Sequence, residues 1–250
     1  MPVASRPVFV PYAKEGLVDE RTVTFTWHPG LALAQQQRSV ESLHGEAKER
    51  GWYPLLEVST RSLRPLGIRL SAFNLRLTTT DNVSVTVEAA FQSSKVFVDG
   101  KSLAHLLTLS DGREIKAQVK EHEGRELERF SFEDRPWPLK PLTAFYDYLY
   151  LRALREDCER DSSLISQLTE FAGFTDIAFN PKRSFNCQAR ACALFVTLCK
   201  ITSVDALLSD RDRFIDFLLQ HHYGETGHRP ESMQLSLELP QDSFDDPSAV

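Results

Sequence analysis

The apolar residues change their period partway along the chain, and that change limits the fold more than any other feature. In the first half they recur in short β-branched and aromatic runs. Arg21-Thr22-Val23-Thr24-Phe25-Thr26-Trp27 alternates and is stopped by Pro29-Gly30, so a strand is expected there. Residues 53–59, 67–77, 83–87 and 130–132 read as further strands. Residues 33–50, which end at Gly51, and 103–109 read as helices in the same half. Beyond Pro136-Trp137-Pro138 the spacing becomes i, i+3, i+4 over residues 142–155, 163–171, 186–200 and 204–222, which predicts helices. The expected fold class is α+β, a small N-terminal sheet packed with a mainly helical second half.

Residues 1–20 carry three prolines and no clear period, so an N-terminal arm is expected, followed by a single domain over 21–223. From Gly224 onward there are six acids (Glu225, Glu231, Glu238, Asp242, Asp245, Asp246) against Arg229. That acidic, Pro- and Ser-rich tail has little to bury and reads as disordered. It carries most of the formal net charge of −6, which leaves the body near neutral. Arg61, Arg64, Arg69 and Arg76 fall in a stretch with no acid. Such a basic strip suits either phosphate contacts or a solvated loop.

No apolar run approaches the roughly 18–20 residues that a membrane helix needs, and no secretory signal is visible. The four cysteines, Cys158, Cys187, Cys192 and Cys199, form no CxxC pair, and small buried thiols are expected. A cytoplasmic protein without membrane contact follows as the expectation. GxGxxG, Walker, GxSxG and HExxH patterns are missing, which argues against the enzyme classes that depend on them. His221-His222 have no acid or cysteine at ligand spacing.

The chemistry-bearing candidates fall in two stretches. In Val85-Thr86-Val87-Glu88-Ala89-Ala90-Phe91-Gln92-Ser93-Ser94-Lys95, period-2 character gives way to a helical pattern at Glu88, with Thr86 or Ser84 as the cap. On a helix Glu88 and Lys95 share one face, with Phe91 and Gln92 between them. That stripe mixes an acid, an amide, a ring and an amine where a core-facing stripe is uniformly apolar. A carboxylate in the first helical turn is favoured by the free N–H groups and suits a base or electrostatic stabiliser. Each residue also has a plainer reading, as a helix-start acid and a surface lysine. The second stretch runs from Asp176 to Arg190, a polar loop feeding a helix. Asn186 there is either an N-cap or part of a site for phosphate or a ribose hydroxyl. Trp137, held between two prolines, is either core filler or a stacking platform for a base.

At these residues the chain resembles the NADAR (YbiA-like) superfamily, associated with NAD and ADP-ribose metabolism. Leu70-Ser71-Ala72-Phe73-Asn74 corresponds to a Leu-Ser-Asn-Phe phrase, and Glu88-Ala89-Ala90-Phe91-Gln92-Ser93-Ser94-Lys95 to a Glu-His-x-x-Gln-x-x-Lys helix. The segments 176–180 and 184–189 match a later Asp-x-x-Trp-Gly and Gly-x-Asn phrase loosely, with Phe179 in the place of its tryptophan. Phe25-Thr26-Trp27-His28-Pro29-Gly30, Leu56-Glu57-Val58-Ser59-Thr60 and Phe145-Tyr146-Asp147 are similar to the branch found beside DarT-like toxins.

The resemblance implies an N-glycosidase that removes ADP-ribose from guanine bases of DNA. It would be the antitoxin to a DNA ADP-ribosyltransferase, with ADP-ribosylated, single-stranded DNA and a cognate DarT-like toxin as partners. It implies catalytic roles for Glu88, Lys95 and Asp176. Ser71, Phe73, Asn74, Phe91, Gln92, Trp137, Asn186 and Gln188 would bind substrate. The chemistry calls for no cofactor and no metal. Two other readings stay open: an N-glycosidase of small nucleotide-like metabolites, and a non-catalytic module that binds ADP-ribose or a toxin.

Overall fold

The computed structural model describes residues 2–12, 16–108, 117–122, 124–182 and 184–223. The end of the helix expected over 103–109 and the acidic tail from 224 lie outside them. A four-stranded sheet organises the N-terminal half, in the order β2-β1-β9-β3. Strands β1 (Val3–Pro11) and β2 (Val18–Thr26) pair antiparallel along their whole length, from Val3 opposite Thr26 to Pro11 opposite Val18. Strand β3 (Leu55–Glu57) lies parallel to β9 (Gly173–Thr175), and β9 meets β1 where Phe174 faces Phe9. Gly173 permits that meeting, since a Cβ there would sit 3.0 Å from the Phe9 carbonyl oxygen.

Strand periodicity divides the core. Val8, Val23, Phe25 and Leu55 point to one face, under Val40, Leu43 and Ala47 of helix α1 (Leu33–Glu49). Phe9, Leu56 and Phe174 point to the other. There they join the larger core built by the helices Ala144–Arg160 and Gln188–Ile201.

The chain between these strands builds the wall of the site. Helix α2 (Pro65–Arg69) leads through a turn to the β4–β5 hairpin (Arg76–Thr78, Ser84–Thr86) and then to helix α3 (Val87–Ser93). The Thr86 side chain caps α3 by accepting from the Ala89 N–H at 3.2 Å. A second sheet follows, β6 (Lys95–Phe97), β7 (Leu127–Phe132) and β8 (Arg135–Trp137), with a 3-10 turn at Ala104–Thr108. Helices α4 (Ala144–Arg160), α5 (Leu164–Thr169), α6 (Gln188–Ile201), α7 (Val204–Leu208) and α8 (Arg211–Gln220) complete the molecule. No described helix is long and apolar enough to cross a membrane. The four cysteines are free thiols, Cys187 and Cys192 buried.

Four expectations are corrected. Residues 3–11 are not an arm but a strand paired on both sides. Of residues 67–77, only Arg76 and Leu77 are in a strand, β4; residues 67–75 are not. Pro65 presets the first turn of α2, and Gly67 packs so tightly on the β3 exit that a Cβ would meet the Glu57 carbonyl oxygen at 2.0 Å. The helix expected over 204–222 is broken at Ser209-Asp210, where the Asp210 carboxylate accepts from the Arg213 N–H at 2.7 Å and starts a new helix. Lys95 does not share a helix with Glu88: α3 ends at Ser93, and Lys95 opens β6 opposite Phe130.

Candidate functional site

Although the helix ends before Lys95, the acid, amide and amine still meet. The Gln92 amide donates to Glu88 Oε1 at 2.7 Å and accepts from Lys95 Nζ at 2.6 Å. Lys95 is buried, with Nζ 5.1 Å from the centre of the Phe91 ring. Burial pushes its pKa down to about 7 against the opposing pull of Glu88. Glu88 is half-buried, and burial raises its pKa while the Gln92 hydrogen bond and the Lys95 charge lower it. A helix start normally leaves N–H groups unpaired. Here the turn after α2 takes two of them: Val87 N–H donates to the Leu75 carbonyl at 3.0 Å and Glu88 N–H to that of Ala72 at 3.0 Å.

The second carboxylate arrives from the other half of the chain. Asp176 follows β9 directly, and its Oδ1 accepts from the Ala178 N–H at 3.0 Å. Its Oδ2 accepts from the amide of Gln188, the first residue of α6, at 2.9 Å. Gln188 Oε1 in turn accepts from the Ala72 N–H at 2.7 Å. Ala72 therefore binds Glu88's backbone through its carbonyl and Asp176's partner through its N–H. The two carboxylates are tied to one residue of the turn.

Glu57, which was not among the expected site residues, lies fully buried behind Asp176. It accepts from Ser59 Oγ at 2.6 Å, Thr175 Oγ1 at 2.7 Å and the Ile177 N–H at 2.9 Å. Burial first, and the Asp176 charge second, push its pKa up to about 7 despite those donors. Burial likewise raises Asp176, opposed by the Gln188 bond and the charge of Arg61. Tyr146 on α4 packs its ring edge-on to Phe91 at 5.3 Å. Burial raises the phenol pKa, and the charges of Glu88, Asp176 and Asp147 add to that rise. Glu57 carried one readable signal, an acid inside an apolar strand whose three residues are all buried.

The remaining expected residues divide. Ser71 is buried and Phe73 half-buried on the turn around Ala72. Gln188 forms the bridge just described. Phe91 belongs to an aromatic group with Phe130, Phe145 and Tyr146. Asn186 is half-buried and does not cap α6, whose N-cap position is Cys187; its Oδ1 is buried without a hydrogen-bond partner. Asn74 is exposed and donates to the Ile68 carbonyl at 2.8 Å, closing α2. Trp137 is core filler: it is buried against Phe145 and Tyr148, with ring centres 5.2 and 4.6 Å away, and has no face open to a base.

The arginines at 61–76 do not form one strip. Arg69 is held by Asp157 and Asp161, Arg76 by Ser84, and Arg64 lies over Phe171. Arg61 alone turns inward. Among the described residues no three His, Cys, Asp or Glu side chains converge as metal ligands.

The site draws on β3, the turn after α2, α3, α4 and the loop into α6. A family model described as the DarT1-associated NADAR antitoxin matches residues 4–228, a span that includes all of these elements and also β1 from Ala4 onward. No curated protein matches the chain.

Proposed function

The chain belongs to the DarT1-associated NADAR antitoxin family, and from that premise we propose that it is an N-glycosidase that strips ADP-ribose from guanine bases of DNA. It is the antitoxin partner of a DarT-type toxin, and hydrolysis of the DNA adduct is the activity we assign to it. The observation that carries this reading is Ala72, where one backbone residue holds the Glu88 relay on one side and the Asp176–Gln188 pair on the other.

Cleavage of the bond between ribose C1″ and the guanine amine leaves positive charge on the sugar. A half-buried carboxylate such as Glu88 stabilises that charge more strongly than it would in open water, and it can orient the attacking water. The departing amine needs a proton. Asp176, raised by burial and backed by a second carboxyl, retains one at a pH where an ordinary aspartate has lost it. Phe73, half-buried beside Ser71, offers the remaining aromatic surface for a base. Lys95 can act in two ways. With its pKa near 7 it is partly uncharged at neutral pH. Its amine can therefore add to C1″ as the C1″–N bond breaks and the guanine amine takes a proton from Asp176; the ribose then opens to an imine that water hydrolyses, freeing Lys95 and ADP-ribose. When protonated, it can instead balance charge through Gln92.

The test is incubation of the protein with single-stranded oligonucleotides carrying ADP-ribose on guanine or on thymine. Release of ADP-ribose and unmodified DNA from the guanine adduct is the expected result. Equal turnover of free ADP-ribosylated guanosine would favour a metabolite hydrolase. Tight binding without turnover would favour a reader module.

A further inference from the structure

We propose that Arg61 is the anion anchor of this site and takes the diphosphate of ADP-ribose. The inference rests on the glycosidase reading and adds the part of the site that would hold the nucleotide's only charged group. Arg61 leaves β3 in the loop that runs under α2, and its side chain is only 5 % exposed. Its backbone N–H is held by Ser59 Oγ at 3.1 Å, and its Nε donates to Gln36 Oε1 at 2.8 Å. Among the described residues no carboxylate comes within ion-pairing distance, and neither Nη group has a hydrogen-bond partner. Neither Nη is among the fully buried unpaired atoms.

A buried guanidinium without a directly paired carboxylate is costly, because the solvation it gives up is only partly replaced. The three neighbouring arginines each have a local partner at the surface. Arg6, the other cation near Asp176 and Glu57, spends its Nε on the Ile177 carbonyl and its Nη1 on that of Ser5. Arg61 is the one whose fork is fixed at Nε and unused at both Nη. Two parallel N–H donors on a planar, oriented fork suit two phosphate oxygens. Asp176, whose carboxyl feels the Arg61 charge, already accepts from Gln188 and Ala178.

The order of groups also fits. The Arg61 N–H is held by Ser59, Ser59 donates to Glu57, and Glu57 accepts from the N–H of Ile177, the residue after Asp176. With the distal ribose between Glu88 and Asp176, the diphosphate would lie one step further, on the Arg61 side. So deep a side chain cannot reach the phosphates of the DNA strand itself.

Calorimetry of the full chain with ADP-ribose, with adenosine and with inorganic pyrophosphate tests the anchor. Arg61→Met should weaken ADP-ribose binding by roughly ten- to a hundredfold, the range for losing a charged hydrogen-bonding group. Adenosine binding should stay unchanged, and Arg61→Lys should recover part of the loss. Wild-type protein that fails to bind ADP-ribose would overturn the glycosidase reading, and the anchor with it. A Met variant that binds ADP-ribose as tightly as wild type would overturn the anchor alone. So would a variant that loses only modified DNA, because the contact would then be to the strand. If neither variant folds, pyrophosphate decides on the wild type: displacement of ADP-ribose supports the anchor, and no displacement overturns it.

Discussion

Lys95 reaches Glu88 only through an amide: Nζ donates to Gln92 Oε1, and the other end of that amide donates to Glu88. A direct ion pair would hold the amine charged. The inserted glutamine weakens that pull enough for burial to bring the Lys95 pKa down to about 7. If Lys95 is a nucleophile, Lys95→Arg and Lys95→Ala should both be inactive, and activity should rise with pH through about 7 as the amine loses its proton. Borohydride added during turnover should then trap ADP-ribose on the wild-type protein. If Lys95 only balances charge, the Arg variant should retain a sizeable fraction of activity. Activity should then fall above pH 7. A fully active Lys95→Ala protein would remove the residue from the mechanism.

Glu88→Gln should lower hydrolysis by on the order of 10²–10⁴-fold, the usual range for a group that stabilises transition-state charge or transfers a proton. The amide keeps the shape and can still bond Gln92, so the melting temperature should change little. Turnover within a few-fold of wild type, measured by ADP-ribose release, would take Glu88 out of the reaction.

Glu57 touches only protein, and its effect is expected to pass through Asp176. Its folded-state pKa of about 7 lies above the ordinary 4.5. The native protein therefore keeps a proton that the unfolded chain has released. The stability linked to that proton is fully present below about pH 4.5 and is lost as pH rises to about 7. Glu57→Gln removes the titration, so it should gain stability relative to wild type across that window, by on the order of 1–3 kcal/mol. Without the second negative charge, Asp176 should release its proton at lower pH. The alkaline limb of kcat should move down while KM holds. Identical pH profiles for the two proteins would leave Glu57 a purely structural acid.

The Glu88 group was legible because its three residues lie within eight positions, so local spacing brings them together whether Lys95 ends a helix or starts a strand. Asp176, Gln188 and the turn at Ala72 were legible only through resemblance. Nothing in a linear reading shows that an amide at 188 spans from 176 to 72. β1 was hidden by Pro7 and Pro11, residues that deplete strands. Both are tolerated because β9 pairs with β1 only at Phe9, so the donors missing at 7 and 11 are not required on that side. Glu57 showed only as an acid after two leucines and Arg61 only as one arginine of four, because their partners at 175–177 and 36 are distant in sequence.

Trp137 tests the boundary between core and site. It packs on Phe145 and Tyr148, so Trp137→Ala should destabilise the protein by about 3–5 kcal/mol, as large aromatic deletions in cores do. Trp137→Phe should keep most of the stability and nearly all of kcat/KM. A large loss of KM in a well-folded Phe variant would return Trp137 to the base-binding surface.

Gln188 offers the sharpest test of the bridge. Gln188→Leu retains the volume but leaves the Ala72 N–H and Asp176 Oδ2 unpaired, at a cost of about 1–3 kcal/mol for the buried groups. Losing the donor to Asp176 should raise that carboxyl further, because the Gln188 bond is the largest influence lowering it. The alkaline limb should move to higher pH, opposite to the shift expected for Glu57→Gln. Opposite shifts from two residues that flank one carboxyl on separate elements would identify Asp176 as the titrating acid. Shifts in the same direction would mean that the limb belongs to another group, and Tyr146, whose phenol pKa both carboxylates raise, would be the next residue to replace by Phe.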